Sequence, residues 1–211
     1  MKNKGVIFDL DGTLWDVTDA TYNATKIVTD KHNLKEVTKE QIKSNFGNNR
    51  YDSARVYFPY LELDEALNYL DELSYVMIDY LDKNGGYIYP GIEEELKLLS
   101  KEYDLFIVSN TSHKEYIEAF LNSSKLKKYF KDYLAASTMS KSDAIKKIIK
   151  DNELEYAVYV GDTIKDYNAT IEANVPFIQV LYGFGSKIDK VDTIDNISEL
   201  HSVLKTKNKS V

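Results

Sequence analysis

The sequence predicts an α/β fold: a doubly wound parallel sheet with helices on both faces, interrupted by an inserted all-helical second domain. Three observations carry this expectation. Over residues 88–211, short apolar runs rich in β-branched and aromatic residues alternate with helical stretches, the order that winds a parallel sheet. A run of the same kind, Gly5-Val6-Ile7-Phe8, stands near the start. Between the two, residues 16–87 show helical spacing and no convincing strand. The expected domains are therefore 1–15 with 88–211 for the sheet, and 16–87 for the helical insertion.

Composition bounds the rest. A chain of 211 residues with 43% hydrophobic and 29% charged residues can bury a good core. A net charge of −7 disfavours nucleic acid and anionic membrane surfaces as partners. Cysteine is absent, so there is no disulfide framework and no thiol chemistry. The basic Met1-Lys2-Asn3-Lys4 looks like the start of a signal peptide, but Asp9 cuts the following apolar run short. No apolar stretch is long enough to span a bilayer. A soluble, cytoplasmic protein is expected, of unspecified oligomeric state.

Each element has a local signal. Ala20, Ala24, Ile27 and Val28 space out a helix ending near Asn33-Leu34. Thr38 with Gln41 reads as a capping box, and that helix stops at Phe46-Gly47. A third helix covers Tyr51 to Tyr57, halted before Pro59. Asp64 is expected to cap a long helix whose stripe includes Leu70, Leu73, Met77 and Leu81, closed by Asn84-Gly85-Gly86. After the turn Tyr89-Pro90-Gly91 comes a helix over Ile92–Lys101. Strands follow at Leu105–Val108, Tyr133–Ala136, Tyr156–Val160 and Phe177–Leu181. Helices at 112–121, 142–150 and 164–173 separate them, and Ile197–Leu204 closes the fold. The lysine-rich tail to Val211 is expected to fray. Many of the 17 tyrosines fall on helical stripes with leucines and read as core and rim packing.

Ligands of such sheets bind at the carboxyl ends of the strands. The first run ends in Asp9-Leu10-Asp11-Gly12-Thr13-Leu14, the second in Ser109-Asn110, the fourth in Gly161-Asp162 with Asp166 four residues on. Lys141 precedes the helix after the third. Asp9 and Asp11, at i and i+2, leave the strand end on one side. At 4 Å two such charges repel by about 4 kcal/mol at an effective dielectric of 20. A hard divalent cation is the natural counter-charge. Taken singly, Asp162 fits an Asx turn, Asp166 a solvated helix position, Lys141 one of many lysines and Ser109 a plain strand end.

Taken together, these residues match in order the four motifs of the haloacid-dehalogenase superfamily, which is mostly phosphatases. Asp9-Leu10-Asp11 resembles the first motif, Ser109 the second, Lys141 the third and Gly161–Asp166 the fourth. The resemblance implies a Rossmann-like core and magnesium-dependent hydrolysis of a small phosphorylated metabolite. It implies Asp9 as the nucleophile, giving an aspartyl-phosphate, and Asp11 as the acid and base. Mg2+ would be held by Asp9, the Asp11 carbonyl and Asp162, with Asp166 direct or through water. Ser109, the Asn110 backbone N–H and Lys141 would bind the phosphoryl group.

The insertion resembles the helical cap of the phosphoglycolate-phosphatase and beta-phosphoglucomutase branches. Its loop Gly47-Asn48-Asn49-Arg50 resembles the cap loop that specifies substrate, and both arginines of the chain, Arg50 and Arg55, lie in this block. Arg50 would meet a carboxylate or second phosphate on the substrate, or form a surface salt bridge. Trp15 would contact substrate or pack. His113 reads as an exposed position on the first turn of its helix, with a substrate role as the other choice. His32 and His201 read as surface residues, and Tyr182-Gly183-Phe184-Gly185-Ser186 as a mobile loop. A sugar phosphomutase of the same superfamily is the alternative function. It typically has a branched aliphatic residue where Thr13 stands, and a cap histidine where Thr21 and Tyr22 stand. A dehalogenase would lack Asp11. A non-catalytic binding protein retaining the fold is the remaining class.

Overall fold

The computed structural model describes residues 3–136 and 138–207. Its main sheet has six parallel strands: β1 (Lys4–Phe8), β4 (Asp104–Ser109), β5 (Phe130–Ala135), β6 (Tyr156–Gly161), β7 (Phe177–Val180) and β8 (Asp192–Ile194). They lie in the order β5-β4-β1-β6-β7-β8. Counted along the chain this is 3-2-1-4-5-6, the doubly wound order in which a crevice opens where the winding reverses beside β1.

Alternation along each strand splits the core in two. Val6, Phe8, Leu105, Ile107, Val158 and Val160 point to one face, where α5 (Ile92–Leu99), α6 (Lys114–Ser124) and α9 (Leu200–Lys207) cover them. Ile7, Phe106, Val108, Ala157 and Tyr159 point to the other, under α7 (Lys141–Asp151) and α8 (Ile164–Ala173). Burial on both faces explains why these strands read as continuous apolar runs.

Between β1 and α5 the chain makes a two-stranded antiparallel ribbon of β2 (Trp15–Asp16) and β3 (Tyr87–Ile88). Four helices emerge from that ribbon: α1 (Thr18–His32), α2 (Lys39–Asn45), α3 (Arg50–Tyr57) and α4 (Leu63–Asn84). The Thr38–Gln41 capping box forms as the spacing predicts. No helix among the described residues is long and apolar enough to cross a membrane.

Several boundaries differ from expectation. Glu62, not Asp64, precedes α4, and no side chain caps it; Asp64 lies in the first turn, where a carboxylate still favours the helix dipole. α6 starts at Lys114, and β5 begins three residues before the Tyr133 expected, because half-exposed edge positions dilute its apolar signal. The ribbon β2–β3 and strand β8 are too short to carry a periodic signal. Helix runs to Lys207, and the fraying expected beyond it lies outside the described residues. His201 is not a surface residue: it is buried, its Nε2 pairs with Glu102 Oε1 at 2.9 Å, and its backbone N–H donates to Glu95. His32 is half-buried and pairs with Glu72 at 2.7 Å.

Candidate active site

The carboxyl ends of β1, β4 and β6 converge on one crevice. β1 ends level with β6, and the Asp9 N–H donates to Val160 O at 2.8 Å. This puts Asp9 beside Asp162, which follows β6. Asp166 lies on the first turn of α8. The carboxylates of Asp9, Asp162 and Asp166 are all buried and offer oxygens within 4.8 Å of one another.

One cation answers them. The Lys141 ammonium donates to Asp9 Oδ1 at 2.7 Å and also to Asp166 Oδ1. Lys141 is the first residue of α7, after the N-cap Ser140. A positive charge there opposes the helix dipole, so the two carboxylates must outweigh it. Burial would lower the lysine's pKa, but Asp166 and Asp9 hold it well above its usual range. The Tyr159 ring lies beneath, 5.5 Å from Nζ to its centroid.

Asp166 is more than the solvated helix residue it could be by spacing. Its Oδ2 accepts from Thr163 N and Oγ1, at 3.0 and 2.6 Å, completing a capping box, while Oδ1 takes Lys141. Asp162 Oδ2 accepts from the N–H groups of Phe184 and Gly185, at 2.6 and 3.2 Å. Its Oδ1 is buried with no hydrogen-bond partner. Burial and the Asp166 charge push this carboxyl up to about 7. Burial likewise raises Asp9, against the pull of Lys141. A charge-rich donor set of oxygens, short of positive charge and with one buried oxygen unanswered, fits a hard divalent cation.

Asp11 stands apart from this cluster. Its Oδ1 accepts from Trp15 Nε1 at 2.7 Å and Tyr116 OH at 2.8 Å. Burial pushes its carboxyl up to about 6, and the two donors temper the rise. Gly12 next to it holds φ at +80°, and a Cβ there would run into the Asp162 carboxylate.

Ser109 is buried at the end of β4 and lines the crevice together with Asn110 and Lys141. Trp15 does not face a ligand. It is wholly buried and packs edge-on against Phe120 and Tyr116, at 5.0 and 5.8 Å between ring centroids, so its contribution is to hold Asp11. Arg50 opens α3 and makes the salt bridge: Nη2 lies 2.5 Å from Asp71 Oδ2 and 3.3 Å from Leu67 O. His113 is the residue before α6 and lines the cavity on that side, its ring 5.0 Å from that of Tyr75.

The segment 182–186 is pinned rather than loose. Gln179 Nε2 donates to both Asp162 O and Ser186 O at 2.9 Å, and Tyr182 OH to Thr13 O at 2.8 Å. The helical insertion reaches it: Phe46 stacks on Phe184 at 4.0 Å, and Lys165 donates to Gly47 O and to Asn48 Oδ1. Phe46, Phe184 and Tyr116 are not among the site residues expected from sequence. Lys165 and Gly47 meet across 118 positions of chain, which only the fold brings together.

Two joined chambers result. One, of about 320 Å3, lies over Asp9, Ser109 and Lys141. The other, of about 440 Å3, opens beyond Asp11 and Asn110 towards α3 and α4.

A family model described as haloacid dehalogenase-like hydrolase matches residues 6–180. Among solved structures, a haloacid dehalogenase-like family hydrolase from Streptococcus pneumoniae is similar, at 21% identity and a TM-score of 0.79, with 95% of this chain and 97% of that chain covered. A predicted phosphatase from Clostridium acetobutylicum is 24% identical, with a TM-score of 0.78 over 98% of this chain and 100% of that one. A predicted phosphoglycolate phosphatase from Haemophilus somnus is 19% identical, with a TM-score of 0.80 over 97% and 99%. No curated protein matches the chain by sequence.

The strained carboxylate has a thermal consequence. A carboxyl raised by folding stabilises the protein while protonated, and that contribution is lost as pH rises through about 7 for Asp162. At pH 8 without metal, Asp162→Asn should therefore raise Tm by at least roughly 2–4 °C, the shift of one kcal/mol in a chain of this size. Magnesium should raise the wild-type Tm and leave the variant's almost unchanged. A differential scanning calorimetry trace in which the metal-free variant melts below wild type would contradict this.

Proposed function

We propose that this chain, which belongs to the haloacid dehalogenase-like hydrolases, is a magnesium-dependent phosphatase. It hydrolyses a small phosphate monoester through an aspartyl-phosphate on Asp9. The observation that carries the reading is the Lys141 ammonium shared by Asp9 and Asp166, beside the unanswered oxygen of Asp162. Residues 16–87 form a cap over residues 1–15 and 88–211, with Phe46, Gly47 and Asn48 at the roof of the crevice.

Asp9, Asp162, Asp166 and the Asp11 carbonyl would hold the metal, which when bound neutralises carboxylates and spreads charge off the phosphoryl group. Lys141 pulls Asp9 towards its ionised form against the effect of burial and adds positive charge where the phosphoryl oxygens gather. The Ser109 hydroxyl and the Asn110 N–H orient that group. The free oxygen of Asp9 attacks phosphorus and the ester P–O bond breaks. Asp11 gives its proton to the departing oxygen. Asp11, now ionised, takes a proton from water as that water attacks phosphorus, which frees phosphate and restores Asp9. A carboxyl near 6 suits both halves of this exchange. Trp15 and Tyr116 fix which oxygen of Asp11 is left to carry the proton.

Three measurements test these roles. With an aryl phosphate and magnesium, Asp9→Asn should lose turnover by at least roughly 1,000-fold while keeping its circular dichroism; near-wild-type turnover would end the assignment. Chelation should silence the wild type reversibly. Tyr116→Phe removes a donor that favours ionised Asp11. The acid limb of its kcat profile should move to higher pH, and an unmoved limb would detach Tyr116 from the proton transfer.

A further inference from the structure

The larger chamber bears on which phosphate esters fit, an inference that rests on the phosphatase reading above. It adjoins the phosphate chamber through Asp11, Phe46, Gly47, Asn48 and Asn110. With the phosphoryl group over Asp9, it is where the rest of a substrate would lie. One wall is apolar, from Tyr57 of α3 and Leu70, Leu73 and Met77 of α4. The chamber is also lined by uncharged hydrogen-bonding groups: Asn45, Asn48, Asn49, Ser53 and Ser74 among them.

Charge is what this wall lacks. Apart from His113, Arg50 is the one cation among the described residues that line the chamber. Its guanidinium Nη2 is engaged by the Asp71 carboxylate at 2.5 Å and by Leu67 O, so the Arg50 charge already has a counter-charge beside it. Asp71 lines the same chamber, and Asp11 adds a further carboxylate at its inner end. An anionic tail reaching Arg50 would displace Asp71 from Nη2 and then lie beside the displaced carboxylate, or bind the other guanidinium donors of a pair with no net charge. Neither offers the attraction that a free guanidinium gives a carboxylate or phosphate. Lys165 does not change the balance, since it faces the phosphate chamber and is held by Gly47 O and Asn48 Oδ1.

We infer that the alcohol released by this enzyme is neutral, and that Asp71 sets the preference by cancelling the charge of Arg50. The substrate is then a phosphate monoester of an uncharged hydroxyl compound with a partly apolar body, rather than of a hydroxy acid or a second phosphate ester. Asp71 acts on the ligand through Arg50 and is a specificity-determining residue, not a catalytic one.

Two esters of two-carbon alcohols separate the possibilities: 2-hydroxyethyl phosphate, neutral at its tail, and phosphoglycolate, with a carboxylate there. For the wild type with magnesium, kcat/KM should favour 2-hydroxyethyl phosphate by roughly fivefold or more, the scale of one charge at a half-exposed site. Asp71→Asn frees Arg50 while keeping the side chain's shape, and should shrink or reverse that ratio through the KM for phosphoglycolate. Asp71→Asn should keep the circular dichroism of the wild type. Equal or better turnover of phosphoglycolate by the wild type overturns the inference, as does a ratio that Asp71→Asn leaves unmoved. Loss of turnover on every ester, aryl phosphate included, would instead overturn the phosphatase reading, and this inference with it.

Discussion

The site depends on an imbalance of charge at the end of three buried strands. Asp9, Asp162 and Asp166 are brought within 4.8 Å, and the Lys141 ammonium pairs with two of them, Asp9 and Asp166. Isolated buried charges of this kind are costly, and the fold answers each as far as it can. Asp166 is tied into a capping box, Asp9 is tied to the lysine, and Asp162 receives two backbone N–H groups on one oxygen. What is left unanswered is one carboxylate oxygen and the excess negative charge. A structure that retains such strain in its interior is organised for a ligand that relieves it.

The surrounding framework keeps this arrangement in register. Parallel pairing of β1 with β4 and β6 levels the three strand ends. Glycine lets the backbone approach Asp162 closely at Gly12 and again at Gly185, where a side chain would collide with the carboxylate or its own backbone. The aromatic group of Trp15, Tyr116 and Phe120 ties the ribbon at the base of the helical block to α6. The same two polar atoms, Trp15 Nε1 and Tyr116 Oη, hold Asp11. Packing and the proposed proton transfer by Asp11 would thereby be linked through one contact.

Much of this was legible in the sequence, for physical reasons that also set the limit. Strands buried on both faces write themselves as apolar runs, so β1, β4, β6 and β7 stand out, and polar residues at their ends mark the site edge. The capping box at Thr38 is visible because its two partners are three residues apart. Edge strand β5 shows only its second half, and the two-residue β2 and β3, and β8, carry too little period to be found. Partners far apart in the chain leave no local trace: Phe46 with Phe184, Lys165 with Gly47, and Arg50 with Asp71. For the same reason a substrate contact stays open for Trp15 beside packing until its burial is known. His201 shows no sign in sequence of the glutamates that enclose it.

The proposed chemistry turns on whether the Asp9 carboxylate itself takes up the phosphoryl group. Rapid acid quench of the magnesium-loaded enzyme during turnover of a 32P-labelled monoester asks this directly. Covalent label on the peptide that contains Asp9, released by hydroxylamine as an acyl phosphate is, is the expected result. Turnover that leaves no label on that peptide at any quench time, together with inversion at phosphorus, would mean that water attacks directly and that Asp9 is not the nucleophile.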